Sequence, residues 1–336
     1  MKTNQIIHSK AQIIAVTFLS LAALTAAAEV EDKITKSFTV QPGGQLVVAV
    51  DRGAIEVKTA DRDSVDIEVI RKAGGSRTKA EQTLKDHVVS TTQDGNQVEV
   101  RAENKGGPTS GWFGRSPELQ VSFVITVPRK FDVNLKTAGG GVKVNGLAGK
   151  VQAHSSGGNL HFAKIEGPLS AHTSGGSIAV AGCKGTVEVN TSGGSLNLSE
   201  IDGDVTAKTS GGSIRADKLT GKTVVKTSGG SIEIAGIKGS IEAVTSGGSI
   251  SAELLEQPAG ECSFKTSGGS ITLALDGKLA VDVDLGTSAG RVSSDIPVAT
   301  LVHGDQKKNE LRGKINGGGP LVTAHTSAGA VRLAKK

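Results

Sequence analysis

The sequence predicts an all-β fold: a single-stranded parallel β-helix, or β-solenoid, with about 18 residues per rung and irregular N-terminal coils that could include one short helix. Three observations support this prediction. A Gly-Gly phrase recurs at a fixed interval, and apolar residues alternate with polar ones between its copies. Aromatic residues are also too scarce for a conventional core, since the 336 residues include one Trp and no Tyr.

The repeat is the strongest of these observations. The phrase TSGGSI, or a close variant, starts at positions that lie 18 residues apart, and later copies follow at wider spacing. The regular starts are Thr137, Ser155, Thr173, Thr191, Thr209, Thr227 and Thr245, and the later ones are Thr266, Thr287 and Thr326. Each unit has too few apolar side chains to fold alone, so the units must stack and bury a shared core.

One unit shows the pattern: TSGGSLNLSEIDGDVTAK, residues 191–208. Leu196 and Leu198 are apolar two positions apart, and Val205 and Ala207 repeat this, as expected for half-buried strands. The Gly-Gly pair and the single Gly203 mark two corners, where glycine tolerates a positive φ. The unit therefore predicts two short strands joined by two glycine corners.

The rest of the chain divides around this array. Residues 1–28 are typical of a signal peptide, with Lys2 and Lys10, a short apolar run and small residues up to Ala28. We expect an irregular N-terminal β region and cap over 29–136, the regular solenoid over 137–287 and C-terminal cap rungs over 288–336. The stretch SRTKAEQTLKDHVVS could form the helix, with Ala80, Leu84 and Val88 on one face. The mature protein is expected to be exported, as a periplasmic, cell-surface or secreted protein without a transmembrane span.

Several stretches together carry a family resemblance: VITVP, LKTAGGGVKVNGLAGKV, the TSGG units and the ending GKINGGGPLVTAHTSAGAVRL. Over residues 38–334 the chain resembles the bacterial "putative adhesin" β-repeat family, also called toastrack-like, whose function is unknown. The resemblance implies a β-helix-like fold, an envelope or secreted location, and a role in adhesion or envelope-stress sensing. It brings no active-site residues with it.

One predicted column of outward side chains is a candidate binding site. His154 and His172 occupy the same place in adjacent units, and Lys208 and Lys226 follow in the same column. This column could bind an acidic polysaccharide, or the two His could hold a metal, but a solvated outer face is the commoner meaning of such a pattern. Two His without a nearby column of carboxylates are a weak zinc signal, so we expect no metal and no cofactor.

A second candidate lies in the loop GGPTSGWFGRSPE, which contains Trp112 and Phe113. These aromatic side chains could contact a partner or fold back over the open end of the solenoid, and the sequence favours neither alternative.

The hydroxyl columns and the cysteines are expected to be structural. The Thr that starts each phrase, the Ser that follows it and the next Ser of the phrase should satisfy backbone groups at the corners rather than meet sugar or ice. Cys183 and Cys262 fall at inward positions several rungs apart, beyond the reach of a disulfide, which predicts two buried free thiols.

Charge and motifs exclude several functions. The formal net charge of +5 is too small to indicate nucleic-acid binding. No dinucleotide-binding or nucleophile-elbow motif is present, and the mid-strand outward column lacks the clustered carboxylates of a glycoside hydrolase. We therefore expect a non-enzymatic envelope protein, a rigid adhesin-like binding or scaffold module whose partner is an envelope polysaccharide or protein. Envelope-stress sensing is an alternative, and a polysaccharide-active β-helix enzyme is a lesser one.

Overall fold

The computed structural model describes residues 29–106, 118–300 and 308–336. The predicted signal peptide lies outside these residues. The described chain is almost entirely β-strand, with one α-helix, which confirms the predicted fold class. No helix among the described residues is long and apolar enough to cross a membrane.

The strands fall into three groups along the chain. The N-terminal group contains the only helix of the described residues: β1 (Val30–Thr39), β2 (Gly44–Val50), β3 (Ala54–Ala60), β4 (Ser64–Ala73), α1 (Arg77–Asp86), β5 (His87–Asp94), β6 (Gln97–Asn104) and β7 (Leu119–Pro128). The repeat forms β8 (Phe131–Thr137), β9 (Val142–Asn145), β10 (Val151–Ser155), β11 (Leu160–Glu166), β12 (Leu169–Thr173), β13 (Ile178–Lys184), β14 (Val187–Thr191), β15 (Leu196–Asp202), β16 (Val205–Lys208), β17 (Ile214–Leu219), β18 (Thr223–Lys226), β19 (Ile232–Ile237), β20 (Ile241–Val244), β21 (Ile250–Leu254), β22 (Cys262–Thr266) and β23 (Ile271–Leu275). The C-terminal group is β24 (Val281–Thr287), β25 (Val292–Ser294), β26 (Ala299–Thr300), β27 (Glu310–Ile315), β28 (Leu321–Thr326) and β29 (Val331–Lys335).

These strands form two long sheets. Sheet 1 has 14 strands, in the order β1-β4-β7-β3-β9-β11-β13-β15-β17-β19-β21-β23-β29-β25. Sheet 2 has 15 strands, in the order β26-β27-β24-β28-β22-β20-β18-β16-β14-β12-β10-β8-β2-β6-β5. Each repeat unit contributes one strand to each sheet, and successive units pair in parallel with residue i opposite residue i+18, as in Leu160↔Ile178. Identical positions of the repeat therefore stack into columns.

The core lies between the two sheets and is built from these columns. Leu160, Ile178 and Leu196 stack in one column and are all fully buried. Burial of an aliphatic side chain of this size stabilises the fold by roughly 1.5–3 kcal/mol, and the columns share that burial between neighbouring rungs.

The N-terminal region is more regular than the sequence indicates. β2 pairs in parallel with β8 and β3 with β9, so residues 44–60 form an ordinary rung directly beside the first repeat. β6 and β7 form a further rung outside it. The irregular part is the outermost layer, where β1, β4 and β5 pair antiparallel and end the parallel ladder.

The C-terminal strands also stack out of chain order. β28 pairs with β22 on one side and β24 on the other, so the last copy of the repeat inserts between two earlier ones. Thr326 lies opposite Thr266, and Thr287 lies one layer further out.

The predicted helix is present as α1, and it ends two residues before the last member of its predicted apolar face. Ala80 and Leu84 are buried as expected. Val88 belongs to β5 instead and is exposed, because the chain leaves the helix at His87.

Close packing of the corners explains the Gly-Gly pairs, in place of the positive φ that the sequence suggested. A Cβ on Gly176, the second glycine of its pair, would lie 2.0 Å from the carbonyl oxygen of Gly158 in the neighbouring rung. A Cβ on the first glycine, Gly175, would lie no closer than 3.9 Å to any atom of the neighbouring rung. Only the second glycine is therefore required, which agrees with Ala at the first position in the phrases that begin at Thr287 and Thr326.

Candidate functional site

The most continuous functional feature is a column of basic side chains on the outer face of sheet 2. It stands just before the Gly-Gly corner, at the last outward position of each strand. We call it the basic column, and its members pair in strict register: Lys136, His154, His172, Asn190, Lys208 and Lys226. The register continues through Val244 to Lys265. The structure thus aligns the four residues that the sequence singled out.

The two histidines stack face to face within this column. Their ring centroids are 5.1 Å apart and the planes differ by 9°. Burial lowers the pKa of His154 below its usual value, and the neighbouring His172 and Lys136 lower it further. Ring-nitrogen lone pairs lie in the ring planes, so stacked rings direct them side by side rather than toward a common ion.

The lysines of the column differ in whether an acidic side chain neutralises their charge. Lys226 pairs with Glu242 at 2.6 Å, and this contact is the main cause of the lowered pKa of that carboxyl. Among the described residues, Lys136 and Lys208 have no acidic side chain within 4.0 Å. Asp132 and Asp204 lie four residues earlier in the chain than these lysines, and each accepts a backbone N–H at a corner, from Lys150 and Lys222.

The outer face of sheet 1 has the same geometry and a different chemistry. Its mid-strand column, here the sheet-1 column, is Lys143, His161, Ala179, Asn197, Arg215, Glu233 and Ser251. Arg215 pairs with Glu233 at 2.6 Å and Lys143 with Glu56 at 3.1 Å. The Lys143 ammonium group is the main cause of the lowered pKa of Glu56. The column therefore holds single carboxylates tied to cations, an arrangement unlike the paired carboxylates of glycoside hydrolases.

Two of the hydroxyl columns form hydrogen bonds with backbone groups at the corners, as the sequence predicts. The buried Thr191 Oγ1 donates to the Gly176 carbonyl of the neighbouring rung at 2.8 Å and accepts the N–H of Gly194 at 3.4 Å. The Ser195 Oγ accepts the N–H of Ser213 at 3.3 Å. The intervening Ser column is exposed at positions such as Ser192, so its hydroxyls face solvent.

The two cysteines are free and buried, as predicted. Cys183 lies on β13 in sheet 1, and Cys262 lies on β22 in sheet 2. Burial raises the pKa of each thiol to about 11, so neither forms the reactive thiolate at neutral pH.

Trp112 and Phe113 lie in residues 107–117, outside the described residues. The aromatic loop therefore stays a prediction.

The structure shows a buried polar cluster in the N-terminal region that the sequence did not reveal. The His87 side chain is fully buried, and its Nε2 lies 3.4 Å from Asp51 Oδ1. The desolvation of the ring lowers the pKa of His87, which therefore stays neutral near pH 7. No sequence pattern predicts this placement, because the contact depends on how the non-repeating strands stack.

A second unforeseen feature is a column of left-handed backbone at the edge of sheet 1, which we call the left-handed column. Its members are Gly146, Lys164, Gly182, Glu200, Lys218 and Gly236, with φ between 54° and 79°. The signal was visible as glycine at some of these positions, but charged residues at the others hid it.

These observations describe a two-sheet solenoid with columns of repeated chemistry, and a family comparison agrees with it. The family model described as Toastrack DUF4097 matches residues 44–334. The chain belongs to the Toastrack DUF4097 family. This confirms the resemblance seen in the repeat. No curated protein sequence matches this Toastrack protein.

Several solved structures are similar to this Toastrack chain. One is a "putative adhesin" from Bacteroides fragilis NCTC 9343, 11% identical, covering 91% of this chain and 97% of that one, with a TM-score of 0.36. Another is a "putative lipid binding protein" from Parabacteroides distasonis ATCC 8503, 10% identical, covering 91% and 97%, with a TM-score of 0.34. A "putative adhesin" from the same organism is 10% identical, covers 90% and 97%, and has a TM-score of 0.35.

Proposed function

We propose that this Toastrack protein is an exported, non-enzymatic binding module of the cell envelope, and that it holds a linear anionic polysaccharide along sheet 2. The observation that carries the proposal is the basic column, in which the cations of Lys136 and Lys208 have no acidic partner among the described residues. Export is supported by the signal-like sequence of residues 1–28.

A solenoid suits such a ligand because its charges are fixed in a line. Strands in a sheet lie about 4.8 Å apart, so the column presents basic groups at multiples of that distance. The hydrogen-bonded sheet holds the strands, so little backbone ordering opposes binding. A single exposed ion pair contributes only about 0.2–1 kcal/mol, but a polymer engages several at once.

The charges of sheet 1 support a binding role for sheet 2 in particular. Arg215 and Glu233 neutralise each other on sheet 1, so that face offers a polyanion no comparable line of free cations. A non-enzymatic role is consistent with the same column, whose carboxylates are paired with cations rather than with each other.

The test compares matched variants of the two faces. The double variant Lys136→Gln, Lys208→Gln removes charge from sheet 2, and the control Lys143→Gln, Arg215→Gln removes the same charge from sheet 1. Binding to polygalacturonate and to neutral amylose is measured by calorimetry at low and high salt.

We expect salt-sensitive binding to polygalacturonate, weakened about ten-fold or more by the sheet-2 variant and nearly unchanged by the control. Amylose should not bind. Equal losses in both variants, or equal binding to both polymers, would contradict the proposal.

A further inference from the structure

The first strand of the described chain leaves one long edge of sheet 1 open. One edge of β1 pairs with β4 over all ten residues of the strand, and no strand of the described residues pairs with its other edge. The edge strands at the C-terminal end are much shorter, with three residues in β25 and two in β26. Short edge strands prevent pairing with another chain, and β1 does not have this protection.

The backbone groups on the open edge belong to the odd-numbered residues of β1. The N–H of Val40, the residue after β1, donates to the carbonyl of Asp63, so the even-numbered residues direct their N–H and C=O groups toward β4. Successive residues of a strand direct these groups to alternate sides. The residues that present backbone groups at the open edge are therefore Glu31, Lys33, Thr35 and Ser37.

The even-numbered side chains of β1 lie on the core side of sheet 1 and are only partly covered there. Ile34 and Phe38 pack against the main core, and Val30 packs against the cluster under the helix, but all three stay partly exposed. Lys36 lies on the same side and is exposed, although Ile67, its partner in β4, is almost fully buried. The open edge therefore combines half-covered apolar side chains with a charge.

Two charged groups on this side of β1 have capacity for a further contact. The Asp32 carboxylate accepts hydrogen bonds from Arg71 through Oδ2, and its Oδ1 has no hydrogen-bond partner among the described residues. Lys36 has no acidic side chain within 4.0 Å over the same part of the chain. The outward charges Glu31 and Lys33, by contrast, form ion pairs with β4.

A second copy of β1 fits this edge in an antiparallel register centred on Ile34. Opposite residues in an antiparallel pair either both supply hydrogen bonds or both lack them, so odd residues must face odd ones and even residues even ones. A two-fold axis then lies at one residue, which faces itself. With the axis at Ile34, Val30 lies opposite Phe38 and Asp32 lies opposite Lys36, so apolar side chains meet and opposite charges meet.

The neighbouring registers are unfavourable. An axis at Asp32, Lys33 or Lys36 would place a charge opposite itself, which destabilises a strand pair. An axis at Thr35 would place Ile34 opposite Lys36. The sequence of β1 therefore selects one self-pairing out of those that the backbone allows.

We propose that β1 pairs with β1 of a second copy of this chain, antiparallel and centred on Ile34, so that sheet 1 continues across a two-fold axis. Such an interface is self-complementary, and each contact between Asp32 and Lys36 occurs twice. Charges on an edge strand normally block pairing, and here they exclude the other registers while matching this one. The interface lies on sheet 1 at the N-terminal end, apart from the basic column, and does not depend on the proposed polysaccharide binding.

A charge reversal tests the pairing. Lys36→Glu would place a glutamate opposite Asp32, and the control Lys278→Glu makes the same change of charge at an exposed turn before β24. Sedimentation velocity over a range of protein concentrations measures the dimer, and thermal midpoints verify that both variants fold. We expect a reversible dimer that Lys36→Glu weakens ten-fold or more and Lys278→Glu leaves unchanged.

Cysteine cross-linking tests the register. In this register Ile34 forms a pair without hydrogen bonds, whose Cα atoms lie about 4.5 Å apart, within the reach of a disulfide. Thr35 faces Lys33, so the two copies of Thr35 lie on a diagonal of about 7–8 Å, which is too long. Both native cysteines are buried, so they should not interfere.

With oxidised glutathione as the oxidant, we expect Ile34→Cys to form a covalent dimer at least ten-fold faster than Thr35→Cys. Adding Lys36→Glu to Ile34→Cys should abolish this difference. Equal rates for the two single cysteine variants would overturn the register, and a dimer that survives Lys36→Glu would place the interface elsewhere and overturn the proposal. A protein that is monomeric at every concentration would also overturn it, and would leave the edge to a different chain.

Discussion

The outer faces of the two sheets differ although one repeat builds both. In the sheet-1 column, Arg215 and Glu233 occupy neighbouring rungs and neutralise each other. In the basic column, Lys208 and Lys226 occupy neighbouring rungs with like charge, and only Lys226 has an acidic partner among the described residues. Stacked like charges destabilise a sheet, so packing alone does not favour the second arrangement.

This difference indicates which positions of a solenoid repeat can carry a function. Inward columns must be apolar and corners must contain glycine or a hydroxyl, so the residues at those positions are determined by the fold. The outward columns are free of that constraint. Like charges in neighbouring rungs, such as Lys208 and Lys226, repel each other there, and the proposed polysaccharide offsets that repulsion.

The largest effect on stability is expected from a substitution that pushes neighbouring rungs apart, because this breaks the register of the columns on both sheets. In Gly194→Ala the new Cβ would meet the Gly176 carbonyl oxygen at 2.0 Å, and neither backbone can move aside without parting the rungs. We expect the free energy of unfolding, measured by denaturant titration, to fall by about 3 kcal/mol or more.

The matched control is Gly193→Ala, at the first position of the same pair. Its Cβ would lie 3.5 Å from the nearest neighbour in the next rung, an ordinary contact. This variant should change stability by less than about 1 kcal/mol. Similar losses in both variants would show that the second glycine has no special role in holding the columns in register.

The sequence predicted the repeat geometry well because an 18-residue period fixes which residues meet. Once Thr173 and Thr191 are taken as equivalent, the partners His154 and His172 follow, and so do Arg215 and Glu233. The period alone is therefore enough to align the basic column and to bring the ion-pair partners of sheet 1 together.

The order of the strands at the two ends does not follow from the period. The β2–β3 strands fit beside the first repeat through contacts such as Leu46↔Val133, but Leu46 belongs to an alternating strand like many others in the chain. The last repeat, at Thr326, could equally have stacked on the outer side of Thr287, its predecessor, and instead lies between Thr287 and Thr266. Periodicity identifies a rung, and tertiary packing decides its order.

The left-handed column escaped prediction for a different reason. Backbone φ follows from the local turn, and Lys164 or Glu200 gives no sign of a positive φ in a stretch that otherwise alternates like a strand. The cue was the column itself, in which glycine and charged residues share one position of the repeat.

A smaller effect, on the pH dependence of polyanion binding, should distinguish the two faces. His154 is neutral near pH 7, because burial, His172 and Lys136 all lower its pKa below 6.5. As the pH falls from 8 to 5 the ring gains charge, and affinity for dextran sulfate should rise about two- to five-fold. The sulfate groups stay ionised over this range, so the change in affinity reflects protonation of the protein. The measurement is a calorimetric titration at each pH.

The variants His154→Asn and His161→Asn sharpen this test. The first should flatten the pH dependence, whereas the second, on sheet 1, should leave it unchanged. The same protonation has a cost in stability. Since the folded-state pKa of His154 is below the unfolded value, its contribution is fully present above pH 6.5 and is lost as the pH falls through the folded-state pKa. A rise in affinity that survives in His154→Asn would contradict the role given to this ring.

The most direct test of the central claim is a lysine footprint of the two faces with and without polygalacturonate. Acetylation of each lysine is followed by mass spectrometry at low salt. We expect the polymer to protect Lys136 and Lys208 on sheet 2 and to leave Lys143 on sheet 1 as reactive as in the free protein. Equal protection on both faces, or protection of Lys143 alone, would contradict the claim that the basic column is the binding face.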